Sequence, residues 1–443
     1  MSPRPLLALA VLAPLSLLAA PPAVRDTVAA RIAADYPALD AFYKDLHLNP
    51  ELSLMEERTA AKVAAELRAA GYEVTTQFGG HGVVAMLHNG PGPTLLIRAD
   101  LDGLPVPEET GLPYASKVVT KDLSGKEQPV MHACGHDIHM TCLVGTARAL
   151  AAVKDHWSGT LMLIGQPAEE RVVGARMMLT SGLYRKFGKP DFGISLHQSS
   201  RDPAGTVLFT EGYAAANTDT AEIVVRGVGG HGAYPHTTKD PVVLAARIIL
   251  ALQTIVSRET DPVDPCVVTV GSIHGGAKAN IISNEVKLQL TLRSYSDKVR
   301  AHTIEAIRRI CRGEAIAAGL PDELAPVVTV NENEGAPSLY NDPALTQRLR
   351  NAMGGWIPAD KIGTSVPQMG AEDFSEFGRT AEKVPICQFE IGAVDPVKHA
   401  EHLRTGVALP SSHSSKFAPL PEPTIKTGVT ALTAAALDLL AKK

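Results

Sequence analysis

The chain has little of several things that would point to simpler answers. Aromatic residues make up only 5% and tryptophan occurs twice, so no obvious aromatic cage is offered to a ligand. An excess of one charge is missing as well: 42 Lys and Arg stand against 47 Asp and Glu, a net −5, with no basic block. A nucleic-acid binder needs a concentrated positive footprint, so that class is excluded and small molecules or peptides become the expected partners. Cysteine is scarce and odd in number, five in all, so at least one is unpaired or does chemistry. Cys142, Cys266, Cys311 and Cys387 show no diagnostic spacing, and their pairing stays open. Internal repeats are lacking, and 45% apolar with 20% charged residues is the composition of an ordinary globular protein rather than a disordered one. At roughly 150 residues per domain, 443 residues leave room for two or three.

Long apolar runs are also missing, with one exception at the N-terminus. Residues 1–22 read MSPRPLLALAVLAPLSLLAAPP, with Arg4, an apolar stretch from Leu6 to Leu18, and small residues from Ala19. That is the pattern of a secretory signal peptide. The stretch is shorter than the ~20 apolar residues a bilayer span needs, Pro14 interrupts it, and no cysteine follows for lipidation. The expectation is an exported protein, periplasmic or secreted, with no stable membrane anchor after processing.

Downstream, short apolar strands alternate with helices. Helical spacing runs from about Val24 to Leu67, strands are expected at Val83–Leu87 and Thr94–Ala99, a helix over 137–153 and a strand over 160–165. This alternation predicts an α/β domain with a largely parallel mixed sheet flanked by helices. Between about 215 and 331 the order becomes β-α-β-β-α-β, the pattern of a ferredoxin-like α+β sandwich. The expected organisation is therefore a discontinuous domain over 23–214 and 332–443, interrupted by a smaller one over 215–331.

The densest chemistry lies in Met131–His139, MHACGHDIH. Cys134 and His136 stand two apart around Gly135 just before an expected helix, which lets both side chains leave one turn toward one site. A thiolate with imidazoles suits zinc or a similar borderline metal, and His132, Asp137 and His139 add further candidate donors. LMLIGQPAEE then runs a buried strand into a turn carrying Glu169 and Glu170. Adjacent carboxylates can divide labour, one holding a metal while the other accepts a proton from water. FGISLH ends an apolar strand at His197, and strand ends are where α/β proteins place ligands. In the inserted segment, VGGHGAYPH sets His231 among glycines on a loop, Asn280 closes GGAKAN, and Arg293 stands on an alternating strand. A guanidinium there matches a carboxylate bidentately. Finally MGAEDF and SSHSSKF place acids and His413 in turns.

In this order, over about residues 40–420, these motifs resemble the metal-dependent aminoacylase/carboxypeptidase family that includes hippurate hydrolases and plant indole-acetyl-amino-acid hydrolases. The resemblance implies a catalytic domain interrupted by a lid that also mediates dimerisation, hence a homodimer or higher homo-oligomer. It implies metal ligands at Cys134, His136, Glu170, His197 and His413, a general base at Glu169, and an acid at Asp100 that orients a ligand. His231 matches a lid histidine that stabilises the oxyanion, reaching the partner's site in dimeric relatives, and Asn280 and Arg293 match contacts to the substrate's carboxylate end. Related branches bridge two metals with an aspartate where this chain has Cys134, so one or two divalent ions per subunit are expected. The thiolate favours zinc, with manganese, cobalt or nickel as alternatives. Two departures are Asn280-Ile-Ile-Ser283, usually proline at its fourth position, and Ile138, often a small residue. The implied activity is hydrolysis of the amide bond of N-acyl or N-aroyl amino acids, with a metallo-carboxypeptidase or dipeptidase as the alternative. A purely metal-binding protein would need only the ligands, and the presence of Glu169 argues against it.

Overall fold

The computed structural model describes residues 21–442, so residues 1–20 of the expected signal segment lie outside the described residues. The larger sheet has eight strands in the order Glu73–Thr75, Val83–Asn89, Gly159–Gln166, Thr94–Asp100, Phe192–Pro203, Ile386–Val394, Val207–Phe209 and Ile362–Thr364. Its four central strands, Gly159–Gln166 through Ile386–Val394, run parallel, and antiparallel pairs join the flanking strands to them. This is the mixed, largely parallel α/β sheet expected from the alternation of elements.

Central strands are covered on both faces, which is why they read as continuous apolar runs. Along Thr94–Asp100 the side chains alternate: Leu95, Ile97 and Ala99 enter one core, Leu96 the other. The first core is closed by the helices Pro22–Leu48, His136–Ala152 and Pro421–Leu439, through residues such as Leu39, Leu143 and Val429. The second lies under Gly174–Thr180, Leu183–Phe187 and Ser375–Arg379, with Met178, Phe374 and Phe377 buried against Leu96 and Met162. At about 1.5–3 kcal/mol per large apolar side chain, these two layers hold the strand ends that carry the site.

The inserted segment forms a separate four-stranded sheet in the order Cys266–Gly275, Glu285–Ser294, Asn217–Arg226 and Val327–Ala336, with every pair antiparallel. Helices Pro241–Thr254 and Asp297–Ala317 join it in a core containing Ile223, Leu244, Ile248, Leu288, Ile307 and Cys311. This strand order with two helices is ferredoxin-like. The period-2 pattern is plain in Glu285–Ser294, where Val286, Leu288, Leu290 and Leu292 are buried and Glu285, Lys287 and Gln289 are exposed. Asp240 caps the first helix by accepting from Val242 N at 2.8 Å, with Pro241 at its first position. Together with its last, π-helical turn, Pro241–Glu259 is long and apolar enough to cross a membrane by composition. Leu244, Ile248, Leu252 and Ile255 are nevertheless buried in the core of this unit.

Two expectations are corrected. The strand bearing His197 does not end there but continues to Pro203, because it stays paired with Ile386–Val394 along its length. All five cysteines are free, so the four whose pairing was open form no disulfide.

Candidate metal centre

Most of the donors converge near the carboxyl ends of the parallel strands, where open α/β sheets bind ligands. Cys134 and His136 flank Gly135, which caps the helix His136–Ala152 with φ 76°. A Cβ at Gly135 would lie 2.6 Å from Gln198 Cγ, so both conformation and space require glycine between the two donors. His136 Nδ1 lies 2.8 Å from the carbonyl of Asp102. Donation there leaves the lone pair on Nε2, the form that holds a metal. That Nε2 is buried and makes no hydrogen bond; it stands 3.8 Å from Glu170 Oε1, 3.9 Å from Glu169 Oε2 and 3.6 Å from Asp100 Oδ2. His197 is fixed in the same way, Nδ1 at 2.7 Å from the Gln198 carbonyl and Nε2 at 3.4 Å from Cys134 Sγ. His413 Nε2 is 3.5 Å from Glu170 Oε2.

These contacts form two donor groups that share one sulfur: Cys134 with His136 and His197, and Cys134 with Glu170 and His413, each within 4.8 Å. An unpartnered imidazole nitrogen, an unpartnered Glu170 Oε1 and a thiolate-plus-imidazole donor set fit a borderline divalent metal. Burial works against the Cys134 thiolate, but His197, His136 and His413 outweigh it and hold the thiol well below its usual range. The thiolate is the form that ligates.

The turn carrying the two glutamates is strained. Ala168 and Val172 bracket it at φ 51° each, and His413 itself sits at φ 67°. A β-branched residue in the left-handed region is an outlier, and such strain collects at functional sites. Asp102 tethers the turn, accepting from Glu169 N at 3.2 Å and Glu170 N at 3.0 Å. Glu169 is 7% exposed. Burial, then the nearby Glu372, Glu170 and Asp373, push it well above the usual carboxylate range.

Behind the donors lies an arrangement the motifs did not announce. Arg98, fully buried on an apolar strand, donates to Gln166 Oε1 (2.9 Å), Asp100 Oδ2 (2.7 Å), Glu372 Oε1 (2.9 Å) and Asp373 Oδ1 (3.1 Å). Its sequence signal was a charge inside LLIRAD, which has to be paired if it is buried. Asp100 bonds His139 Nδ1 at 2.7 Å, and His139 Nε2 accepts from Gln198 N, so His139 has no nitrogen left for a metal. The expected role of Asp100 changes accordingly: its hydrogen bond fixes His139, while the ligand-side His136 is oriented by the Asp102 carbonyl. His132 joins neither donor group; burial drives its pKa down to about 4.

A cavity of about 650 Å³ opens onto Cys134, Glu169, Glu170, His197 and His413. Leu208, Ala215, Leu339, Val366 and Met369 supply an apolar wall, and Arg293 reaches it from the inserted domain. His231 and Asn280 do not line it. They lie side by side on that domain, with Gly232 N bonded to the Asn280 carbonyl at 2.9 Å, and both are exposed.

Residues 96–411 match peptidase family M20/M25/M40. The chain belongs to that family. Among its M20 relatives, thermostable carboxypeptidase 2 of Saccharolobus solfataricus is 36% identical over 88% of this chain and 92% of its own length. Hippurate hydrolase of Campylobacter jejuni is 36% identical over 75% and 82%. The solved structure of Bacillus subtilis YXEP, described as a dinuclear metal-binding M20 peptidase, superposes with a TM-score of 0.74 at 27% identity, covering 92% of this chain and 99% of that one. This M20 protein is a metal-dependent amidohydrolase, built on a largely parallel sheet with an inserted second domain.

Proposed function

We propose that the protein hydrolyses the amide bond of N-acyl amino acids, releasing a carboxylic acid and a free amino acid. The observation that carries this reading is Glu169, buried in the wall of the cavity beside four of the five candidate donors, with Arg293 on the wall of the same cavity. Cys134 with His136 and His197, and the same sulfur with Glu170 and His413, would hold the divalent metal, which when bound would supply Lewis-acid polarisation of the carbonyl and acidification of water. Glu169 takes the proton of the attacking water and returns it to the departing nitrogen. Burial and the neighbouring Glu372, Glu170 and Asp373 raise its proton affinity above that of an ordinary glutamate, the direction that favours a group able to take up a proton and hand it on. Arg293 receives the substrate carboxylate, and the apolar wall receives the acyl group.

His231, as oxyanion donor, and Asn280 would serve the cavity of a second copy of the chain. Their exposure supports this, as do the exposed apolar neighbours Val228, Tyr234 and Ile281, at 43%, 57% and 51%. A homodimer through the inserted domain is therefore part of the reading. Of the one or two ions per subunit expected, the shared Cys134 sulfur and the likeness to YXEP support two, with zinc favoured by the thiolate. The N-terminal run supports export to the periplasm or beyond.

The likeness to a carboxypeptidase supports a second reading, cleavage of short peptides at the same site. A substrate panel on metal-reconstituted enzyme separates them. N-acetyl and N-benzoyl amino acids should give the highest kcat/KM; dipeptides cleaved faster than both would establish the peptidase.

A further inference from the structure

Hydrolysis turns the amide RCONHR′ and water into RCOO⁻ and H₃N⁺R′, so breaking the C–N bond leaves a cation where the substrate had a neutral nitrogen. The new ammonium forms next to Glu169, the group that hands it a proton. A carboxylate oxygen of Glu372 lies within 4.8 Å of one from Glu169 and one from Asp373. Asp373 is fully buried and spent, accepting from Ala175 N, Gln166 Nε2 and Arg98. Glu372 differs, because it lines the cavity. Its Oε1 accepts from Arg98 Nη2 at 2.9 Å and Phe374 N at 2.9 Å, while Oε2 accepts from Gln388 Nε2 at 2.7 Å. These bonds fix the carboxylate's orientation and leave Oε2 with room for another donor. Arg98 does not cancel the charge, since its one guanidinium is shared among Asp100, Glu372 and Asp373.

We propose that Glu372 is a specificity-determining residue that recognises the amino group of the departing amino acid as its ammonium. This deepens the amidohydrolase reading and rests on it. It assigns the Glu372 end of the cavity to the amine product, and so predicts that the enzyme distinguishes an amino acid from the same molecule without its nitrogen.

The test is product inhibition of the metal-loaded full chain, using the amino acid released from its fastest panel substrate against the des-amino analogue (for N-benzoylglycine, glycine against acetate). Wild type should bind the amino acid at least fivefold more tightly; equal binding overturns the assignment without any variant. In Glu372→Gln the amide oxygen can keep Arg98 and Phe374, and Gln388 can flip to accept. The inhibition constant for the amino acid should rise about tenfold, while those for the des-amino analogue and the released carboxylic acid stay within twofold and metal content is unchanged. An unmoved amino-acid constant overturns the proposal. So does a parallel rise for all three inhibitors, which would show a general disturbance, or the loss of an equivalent of metal, which would make Glu372 a ligand. If no acyl amino acid is turned over at all, it is the amidohydrolase reading that fails.

Discussion

The inner part of the main domain's candidate metal centre, with its candidate base, and the candidate catalytic residues His231 and Asn280 of the inserted domain sit in opposite settings, although the candidate donor His413 is itself exposed. Cys134, His136 and Glu169 are buried, and two of them are fixed by a neighbour: His136 by the Asp102 carbonyl, Glu169 through its backbone by the Asp102 carboxylate. His231 and Asn280 are exposed, on a ladder of two residues a side. Buried donors are complete within one chain, because the sheet and its two cores determine their positions. An exposed loop acquires a function only from what it docks against. Arg293 stands between the two cases, half-buried on the inserted domain yet facing the shared cavity.

The largest expected effects break this comparison directly. His136→Ala should lose both metal, by elemental analysis, and activity. Glu169→Gln should keep its metal but lower kcat by about 10²–10⁴-fold, the range for a general acid–base group. His231→Ala should also keep its metal and lose about 10²–10³-fold, as for a missing oxyanion donor. Mixing His231→Ala with Glu169→Gln should restore part of the activity if His231 serves a second copy. Metal loss in His231→Ala would erase the distinction between the two regions.

Stability should divide along the same line. Arg98→Ala leaves Asp100, Glu372 and Asp373 without their shared cation in a site of almost no exposure, and removing one partner of such a buried set costs about 3–5 kcal/mol in urea unfolding. Arg308→Ala, which breaks an exposed pair with Glu305 on the inserted domain, should change stability by less than about 0.5 kcal/mol.

His47 adds a dependence on pH. Burial opposes its charge, but hydrogen bonds to Asp137 (2.7 Å) and Glu108 (3.0 Å) prevail and raise its pKa to about 9. A folded-state pKa above the unfolded value of about 6.5 stabilises fully below that value. The contribution, on the order of 3 kcal/mol at most, should shrink as pH rises from about 6.5 through about 9. Urea unfolding of wild type and His47→Gln at three pH values across that window should show their difference closing; a constant difference would refute it.

What was legible in the sequence was local. MHACGHDIH carries two ligands within three residues, and the glycine between them serves their geometry directly. The β-α-β-β-α-β order could be read because antiparallel strands with one covered face alternate strictly, as Glu285–Ser294 does. Arg98 was not legible as a hub, since its partner Glu372 is 274 residues away and only the fold brings them together. The end of the His197 strand was missed because its extension is held by pairing to Ile386–Val394 rather than by its own composition. The place of His231 relative to the cavity is set by how the inserted domain sits on the sheet, which no local pattern encodes.

A modest effect, with stability and turnover moving in opposite directions, concerns the turn that carries Glu169 and Glu170. Val172, at φ 51°, holds a β-branched side chain in a conformation that costs about 1–2 kcal/mol. Val172→Gly removes that cost but gives the unfolded chain more freedom, a loss of about 0.4–1 kcal/mol, so the net gain should be at most about 1.6 kcal/mol. The same freedom loosens the turn, whose other restraints include the two hydrogen bonds to Asp102, one from Val172 N to the Glu169 carbonyl, and those of Ala168, which donates to Glu56 and accepts from Val173 N and Gly174 N. Turnover should therefore fall severalfold while the unfolding midpoint rises. A variant both more stable and fully active would show that the strain at Val172 is incidental to the position of Glu169, and that the hydrogen bonds to Asp102 and those of Ala168 suffice to hold the base in place.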